Sequence, residues 1–231
     1  MDSAQKELYK LDDPVFYSLQ EVHHHIAHFH CGIAFYNPDY AVFGGTQTDE
    51  DLSKAIKEYL HKKDFLYWVG KEPKCGDSAG LLKALVCEQM ILTTPIDIPM
   101  KNQIVAMKLP AQKEAVGELV NLVQSGYFRE KTIEMGTYYG IYDGGQLVAT
   151  AGERMKMNRF TEISALVTHP EHRRKTYAKQ LIKQLTDVIF EENKLPYLHV
   201  LETNTKAIKL YQKMGFRSRN KICFWKLTPT T

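Results

Sequence analysis

The sequence predicts an α/β protein, and three stretches carry that prediction. Phe160 to Val167 is apolar and β-branched and breaks at Thr168-His169-Pro170, as a strand does. Tyr177, Leu181, Leu185, Val188 and Ile189 then recur at steps of three and four, which puts them on one helix face. Pro196 to Leu201 returns to a strand pattern. The chain thus alternates between the two periodicities, the mark of mixed sheet-and-helix folds.

The other elements follow in order. Residues 1 to about 12 read as a polar lead-in without a signal-peptide core. Asp13-Pro14 opens a helix, and Val15, Leu19, Val22, Ile26 and Phe29 carry it to about His30. Five histidines crowd that segment. On a helix His24 and His28 would share a face, so a metal pair is conceivable. A polar face without metal is the preferred reading, because no cysteine or carboxylate completes a site. Thr48 to Lys62 reads as a helix, Phe65 to Val69 as a strand, and Leu85 to Leu92 and Ile104 to Leu109 as strands. The Pro-interrupted stretch 93–99 between them sets a lobe boundary near residue 100. Ala111 to Gln124 is a helix with Val116, Leu119, Val120 and Val123 inward. Thr137 to Tyr142 and Gln146 to Met155 form a hairpin around Asp143-Gly144-Gly145, a turn dipeptide pattern that favours positive φ. Ile222 to Leu227 closes the chain as a strand.

Composition narrows the functional classes. The 231 residues are 44% apolar and 25% charged, ordinary for a soluble globule. A net charge of +3, spread along the chain, argues against nucleic acid as a partner. No apolar run reaches spanning length, so no membrane partner is expected. Four cysteines, Cys31, Cys75, Cys87 and Cys223, lack paired spacing and read as free thiols of a cytoplasmic protein.

The chemistry concentrates between the strand at 160–167 and its following helix. His172-Arg173-Arg174-Lys175-Thr176 is a basic turn opening straight into the helix. First-turn N–H groups have no intrahelical partner and the dipole is positive there, so a diphosphate would fit. This stretch resembles the cofactor loop of the GNAT acetyltransferases, Gln/Arg-x-x-Gly-x-Gly/Ala. Arg173-Arg174-Lys175-Thr176-Tyr177-Ala178 fills that frame, with Thr176 and Arg174 where the family has glycine. Asn204 through Phe216 is similar to a second family signature, Asn-x-x-Ala-x-x-Leu-Tyr-x-x-x-Gly-Phe. Asn204 suits a helix cap and Gly215 the left-handed residue that ends the helix.

The resemblance implies a twisted mixed sheet flanked by helices over residues 101–231, the acetyltransferase domain. It extends more loosely to a subgroup with an additional N-terminal α/β lobe over 1–100; a degenerate relative of the same fold is one reading of that lobe, and the sequence shows no clear repeat to carry it. It implies acetyl-CoA as co-substrate, no metal, and a small-molecule amine as acceptor; a homodimer is compatible with it. Leu166, Val167 and Thr168 would pair their backbone with pantetheine. Arg173, Arg174, Lys175, Thr176, Tyr177 and Ala178 would wrap the diphosphate, and Asn204 would bind the pantetheine amides. Tyr211 would be the general acid for the leaving thiolate. Glu162 is the candidate general base, with Glu134 and Glu153 behind it and ordered water as an alternative. Tyr127, Phe128, Tyr138 and Tyr139 are candidates for an aromatic acceptor pocket. Two functional readings follow: an N-acetyltransferase working by direct attack in a ternary complex, and a CoA-binding module without transfer.

Overall fold

The computed structural model describes residues 6–30, 32–61 and 63–230. Cys31 and the first residues of the lead-in lie outside the described residues. The framework is one eleven-stranded mixed sheet in the order β1-β2-β3-β4-β11-β5-β10-β9-β8-β7-β6. The strands are β1 (Ala27–His30), β2 (Ile33–Tyr36), β3 (Phe43–Thr46), β4 (Leu66–Gly70), β5 (Gly80–Ile91), β6 (Val105–Ala106), β7 (Tyr138–Asp143), β8 (Gln146–Lys156), β9 (Phe160–Thr168), β10 (Leu195–Leu201) and β11 (Arg217–Thr228). The helices are α1 (Pro14–Gln20), α2 (Ser53–Leu60), α3 (Pro110–Val123), α4 (Tyr177–Glu191) and α5 (Thr205–Lys213). Among the described residues only β3 with β4 and β9 with β10 pair in parallel, and in each pair a helix makes the crossover that parallel strands need. β5 pairs on one side with β11 and on the other with β10, so the sheet runs on across residue 100.

Three segments differ from the sequence reading, the first being the helix expected from Thr48, which begins at Ser53 after the turn Asp49-Glu50-Asp51. The helix expected over Val15–His30 stops at Gln20; a 3-10 turn at His24–Ile26 follows, and then β1 pairs with β2. The apolar spacing there serves packing rather than a continuous helix, as tertiary pairing overrides a local pattern. His24 and His28 therefore share no helix face. His23 instead points inward, 2% exposed, with Nδ1 at 2.9 Å from the Tyr36 hydroxyl and Nε2 at 2.9 Å from the Met135 carbonyl. The strand expected over Ile104–Leu109 shrinks to two residues, since Pro110 opens α3.

Period-2 alternation sorts the two faces of the sheet near the site. Tyr138 and Tyr142 of β7 pack with Val116, Leu119 and Val120 of α3. Tyr139 and Ile141 pack with Leu181, Leu185 and Ile189 of α4. On β9 this alternation breaks: Ile163 faces the α4 cluster but Val167 faces the α3 cluster. The cause is a bulge. Gly152 is opposite Ser164 and Thr150 is opposite Val167, so Ala165 and Leu166 together oppose Ala151. Ala165 accordingly takes φ 52°, in the left-handed region.

Candidate active site

The bulge bends β9 away from its parallel neighbour. β9 and β10 pair only from Leu195↔Phe160 to Tyr197↔Glu162. Beyond Glu162 the two strands part, and β10 continues on β5 alone to Leu201↔Cys87. Backbone N–H and C=O groups of 163–168 on the β10 side have no strand partner among the described residues. Such groups seek one. The cleft between the strands has a volume of about 340 Å³ and is lined by Ser164, Leu166, Asn204, Ala207, Leu210 and Tyr211, among others. A second hollow of about 440 Å³ lies at the mouth of α4. Both share Leu166, Ala178 and Leu210, so they form one groove.

The turn into α4 lines the second hollow with Leu166, Val167, Thr168, Arg173, Arg174, Lys175, Thr176, Tyr177 and Ala178. Arg174 at φ 66° and Thr176 at φ 63° both occupy the conformation that glycine enters without steric penalty. The chain thus bends as a glycine turn would, with two side chains that resist it. No side chain caps α4. Its first amides are therefore free to bind an anion, the requirement for a diphosphate cradle. The Asp143 carboxylate, at the β7–β8 turn, receives Lys175 Nζ at 3.0 Å, His172 at 3.2 Å and the Tyr177 hydroxyl at 3.3 Å. These contacts tie the turn to the hairpin and lower the Asp143 pKa, chiefly through the Lys175 hydrogen bond.

Asn204 caps α5, its Oδ1 accepting the Ala207 N–H at 3.2 Å, and still lines the cleft. Gly215 ends the helix at φ 94°. Tyr211 is 9% exposed and lies against Phe216. Burial pushes its pKa up to about 12, so the phenol stays protonated at neutral pH. Its hydroxyl has no hydrogen-bond partner among the described residues.

Glu162 sits in the cleft but is not free to act as a base. Arg154 Nε and Nη2 each donate to it at 2.7 Å, His199 Nδ1 donates at 2.7 Å, and the Met155 N–H at 3.4 Å. Four donors fill the four lone-pair sites of one carboxylate. Burial alone would raise its pKa; the Arg154 charge and these hydrogen bonds outweigh that and hold it at about 2. His199 is equally committed. Gln89 Oε1 accepts from Arg219 at 2.8 Å, so the Gln89 amide donates to the Leu11 carbonyl at 2.7 Å and to His199 Nε2 at 3.0 Å. His199 Nδ1–H therefore points at Glu162. Glu153 is fully buried and bonded to Lys156 and the Thr137 N–H, and neither it nor Glu134 lines the cleft.

Tyr127, Phe128 and Tyr138 line the cleft as expected of an aromatic pocket. Tyr139 does not, because the alternation of β7 turns it to the α4 side. Sequence reasoning missed Phe43, Leu85, Cys87, His199 and Phe224, which also line the cleft. Only His199 left a local sign, a polar residue inside the apolar strand Pro196–Leu201. The Cys87 thiol is pushed up to about 12 by burial, which removes it as a nucleophile. Among the described residues no group of three metal-binding side chains comes together, and no helix is long and apolar enough to cross a membrane.

Comparisons with known proteins follow these features. Residues 138–225 match the model of the FR47-like protein family. A crystal structure from Novosphingobium aromaticivorans, described as an acetyltransferase from the GNAT family, shares 26% identity with a TM-score of 0.87; the match covers 96% of this chain and 99% of that one. A GCN5-related N-acetyltransferase from Kribbella flavida matches at TM-score 0.63 and 14% identity over 93% of each chain. A GCN5-related N-acetyltransferase-like protein from Streptococcus suis matches at 0.61 and 14%, over 95% of this chain and 97% of its own. The last two are alike in fold. Among curated protein sequences none matches this chain.

Proposed function

We propose that this chain is an acetyltransferase of the GNAT kind, a reading supported by the FR47-like match over residues 138–225 and the likeness to the GNAT structure from Novosphingobium aromaticivorans, and that it transfers an acetyl group from acetyl-CoA to the primary amine of a small molecule. The observation that carries the reading is the parting of β9 from β10 at the Ala165 bulge, continuous with the uncapped turn of α4. An extended pantetheine arm would add to the unpaired edge at Leu166–Thr168 as a further strand. The amides of Thr176, Tyr177 and Ala178, backed by Arg173 and Arg174, would hold the diphosphate. Asn204 lines the cleft with Nδ2 left free by the cap, and would donate it to the arm.

In the proposed reaction the neutral amine nitrogen attacks the thioester carbonyl carbon, forming a C–N bond. The C–S bond then breaks and the thiolate takes the proton of the Tyr211 hydroxyl. A phenol is a weaker acid than a thiol, so Tyr211 acts through position rather than driving force. The proton shed by the amine leaves through water, since neither Glu162 nor His199 has a lone pair to spare, and water returns a proton to the Tyr211 phenolate. An acetyl-enzyme is disfavoured by the protonated, buried Cys87.

The same lack of a free side-chain base supports a second reading, a CoA-binding module that transfers nothing. Calorimetric titration with CoA and acetyl-CoA, followed by thiol release over a panel of primary amines, separates the two. Saturable binding with amine-dependent thiol release supports transfer. Binding without release across the panel favours the module, and absence of binding overturns both.

A further inference from the structure

One buried cation in the cleft has an edge to spare. Arg154 commits Nε and Nη2 to Glu162 and lies 4.8 Å over the Phe43 ring. Its Nη1 has no hydrogen-bond partner among the described residues. The side chain is 15% exposed and lines the cleft. Close by on the cleft wall the Tyr138 hydroxyl is buried and unpartnered. Leaving the buried Tyr138 hydroxyl without a hydrogen bond is unfavourable. A ligand that supplies acceptor oxygens here recovers that cost. The walls around it are apolar and aromatic: Phe43, Leu85, Tyr127, Phe128 and Phe224.

The charge pattern narrows the ligand. An amine with no anionic group would bring its cation toward Arg154 with no acceptor free, because the Glu162 oxygens already hold four donors. The open edge of Arg154 carries two parallel N–H groups, one from Nη1 and one left on Nη2, the fork that matches a carboxylate. A phosphate would leave further charged oxygens against aromatic walls. Glu162 neutralises the guanidinium only on its far edge, and the His199–Gln89–Arg219 chain fixes Glu162 in turn.

We infer that the acceptor is an apolar or aromatic amino acid, with its carboxylate on the free edge of Arg154 and the Tyr138 hydroxyl, and its side chain between Phe43, Tyr127 and Phe224. This rests on the acyl-transfer reading above and names the substrate class of that same cleft. Arg154 is on this account the residue that selects the acceptor. The carboxylate end is drawn into the floor, and the α-amine is left toward Tyr211 and the pantetheine groove.

The test separates binding from turnover. The CoA-loaded protein is titrated calorimetrically with L-phenylalanine and phenethylamine, and with L-leucine and isopentylamine, each pair differing by the carboxylate alone. Thiol release from acetyl-CoA is followed with the same four amines. The expected result is at least about 10-fold tighter binding of each amino acid than of its decarboxylated partner. Tyr138→Phe keeps the ring and should weaken only the amino acids, several-fold. Arg154→Lys keeps a cation beside Glu162 but loses the fork, and should bring the preference close to unity. Melting curves identify variants that fail to fold, and the wild-type pairs decide the matter without them. Equal or tighter binding of the decarboxylated amines overturns the inference, as does failure of all four to bind at millimolar concentration. Amino-acid preference in binding without thiol release leaves the carboxylate site standing and removes acyl transfer. Thiol release with amines but no carboxylate preference does the reverse.

Discussion

Two strand–helix–strand crossovers in this molecule share a topology and differ in what they can bind. In β3–α2–β4 and in β9–α4–β10, parallel strands pair at one end and part at the other. β3 and β4 meet only at Phe43↔Tyr67 and Gly44↔Trp68. Beyond that, Thr46 and Val69 line a small hollow with Leu52 and Trp68. The turn entering α2 is acidic, Asp49-Glu50-Asp51, and the Asp51 carboxylate already accepts the Ser53 N–H at 2.8 Å. The turn entering α4 is basic and no side chain caps it. The comparison teaches that the fold supplies a place for an anion, and that capping and charge decide whether the place is open. The small hollow beside α2, lined by Asp13, Asp49, Glu50 and Glu72 against Lys71 and Lys74, repels the ligand that the α4 turn attracts.

The largest expected effect breaks the comparison at its chemical end. Tyr211→Phe should lower acetyl-transfer turnover by about 100-fold or more, the usual worth of a positioned acid. The calorimetric Kd for CoA should stay within about twofold, because the ring and its contact with Phe216 remain. Turnover left intact would show that the thiolate takes its proton elsewhere.

The next effect concerns how the first region is attached. His23 bridges α1, β2 and the Met135 carbonyl as a buried neutral imidazole. Burial, only partly offset by the Met135 hydrogen bond, lowers its pKa from 6.5 to about 4. The unfolded chain therefore takes the proton first as pH falls. Stability is whole above pH 6.5 and declines through that window to about 4, by about 3 kcal/mol at most. Denaturant midpoints measured from pH 7.5 to 4 check this, and His23→Gln should flatten that slope.

A charge exchange tests the comparison most directly. Arg173→Glu with Arg174→Glu should weaken CoA binding by roughly 30-fold, about 2 kcal/mol. Asp49→Lys with Glu50→Lys should leave the affinity and the single-site stoichiometry unchanged, since Asp51 still blocks the first amide of α2. A second CoA bound by the lysine variant would mean that charge alone decides.

What the sequence made legible was local. The strand, basic turn and helix from 160 to 191, the Gly144-Gly145 hairpin and the Asn204 and Gly215 helix ends are each set by residues within a few positions of one another. What stayed hidden depends on distant strands. For Glu162 the sequence leaves a base and a carboxylate paired with Arg154 as alternatives; that Arg154 from β8 and His199 from β10 together saturate it follows only from the strand pairing. The cleft takes Phe43, Cys87 and Phe224 from β3, β5 and β11, which only the strand order brings together. The bulge at Ala165 carries no glycine to announce it. At 24–30 the histidine-rich pattern fits a helix face as well as it fits a turn and an edge strand, and pairing with β2 decided between them.

The smallest effect bears on the turn itself. Thr176 holds φ 63°, where a β-branched side chain is strained, and its Oγ1 gains only a 3.3 Å bond from Gln180 Nε2 in return. Gln180 does not depend on that bond: its Oε1 accepts the Lys101 and Asn102 N–H groups and its Nε2 also donates to Asn102 Oδ1. Thr176→Gly removes the strained Cβ and loosens the unfolded chain, two opposed terms, and left-handed strain is the larger. The net expectation is a gain of up to about 1 kcal/mol in unfolding free energy. Asn tolerates this conformation better than Thr, and Val tolerates it worse, so stability should fall in the order Gly, Asn, Thr, Val. CoA affinity should follow the same order if the Cβ also stands between the backbone amides and the diphosphate. A stability series that holds while affinity stays flat would confine the Thr176 side chain to the fold and leave the cradle to the α4 amides alone.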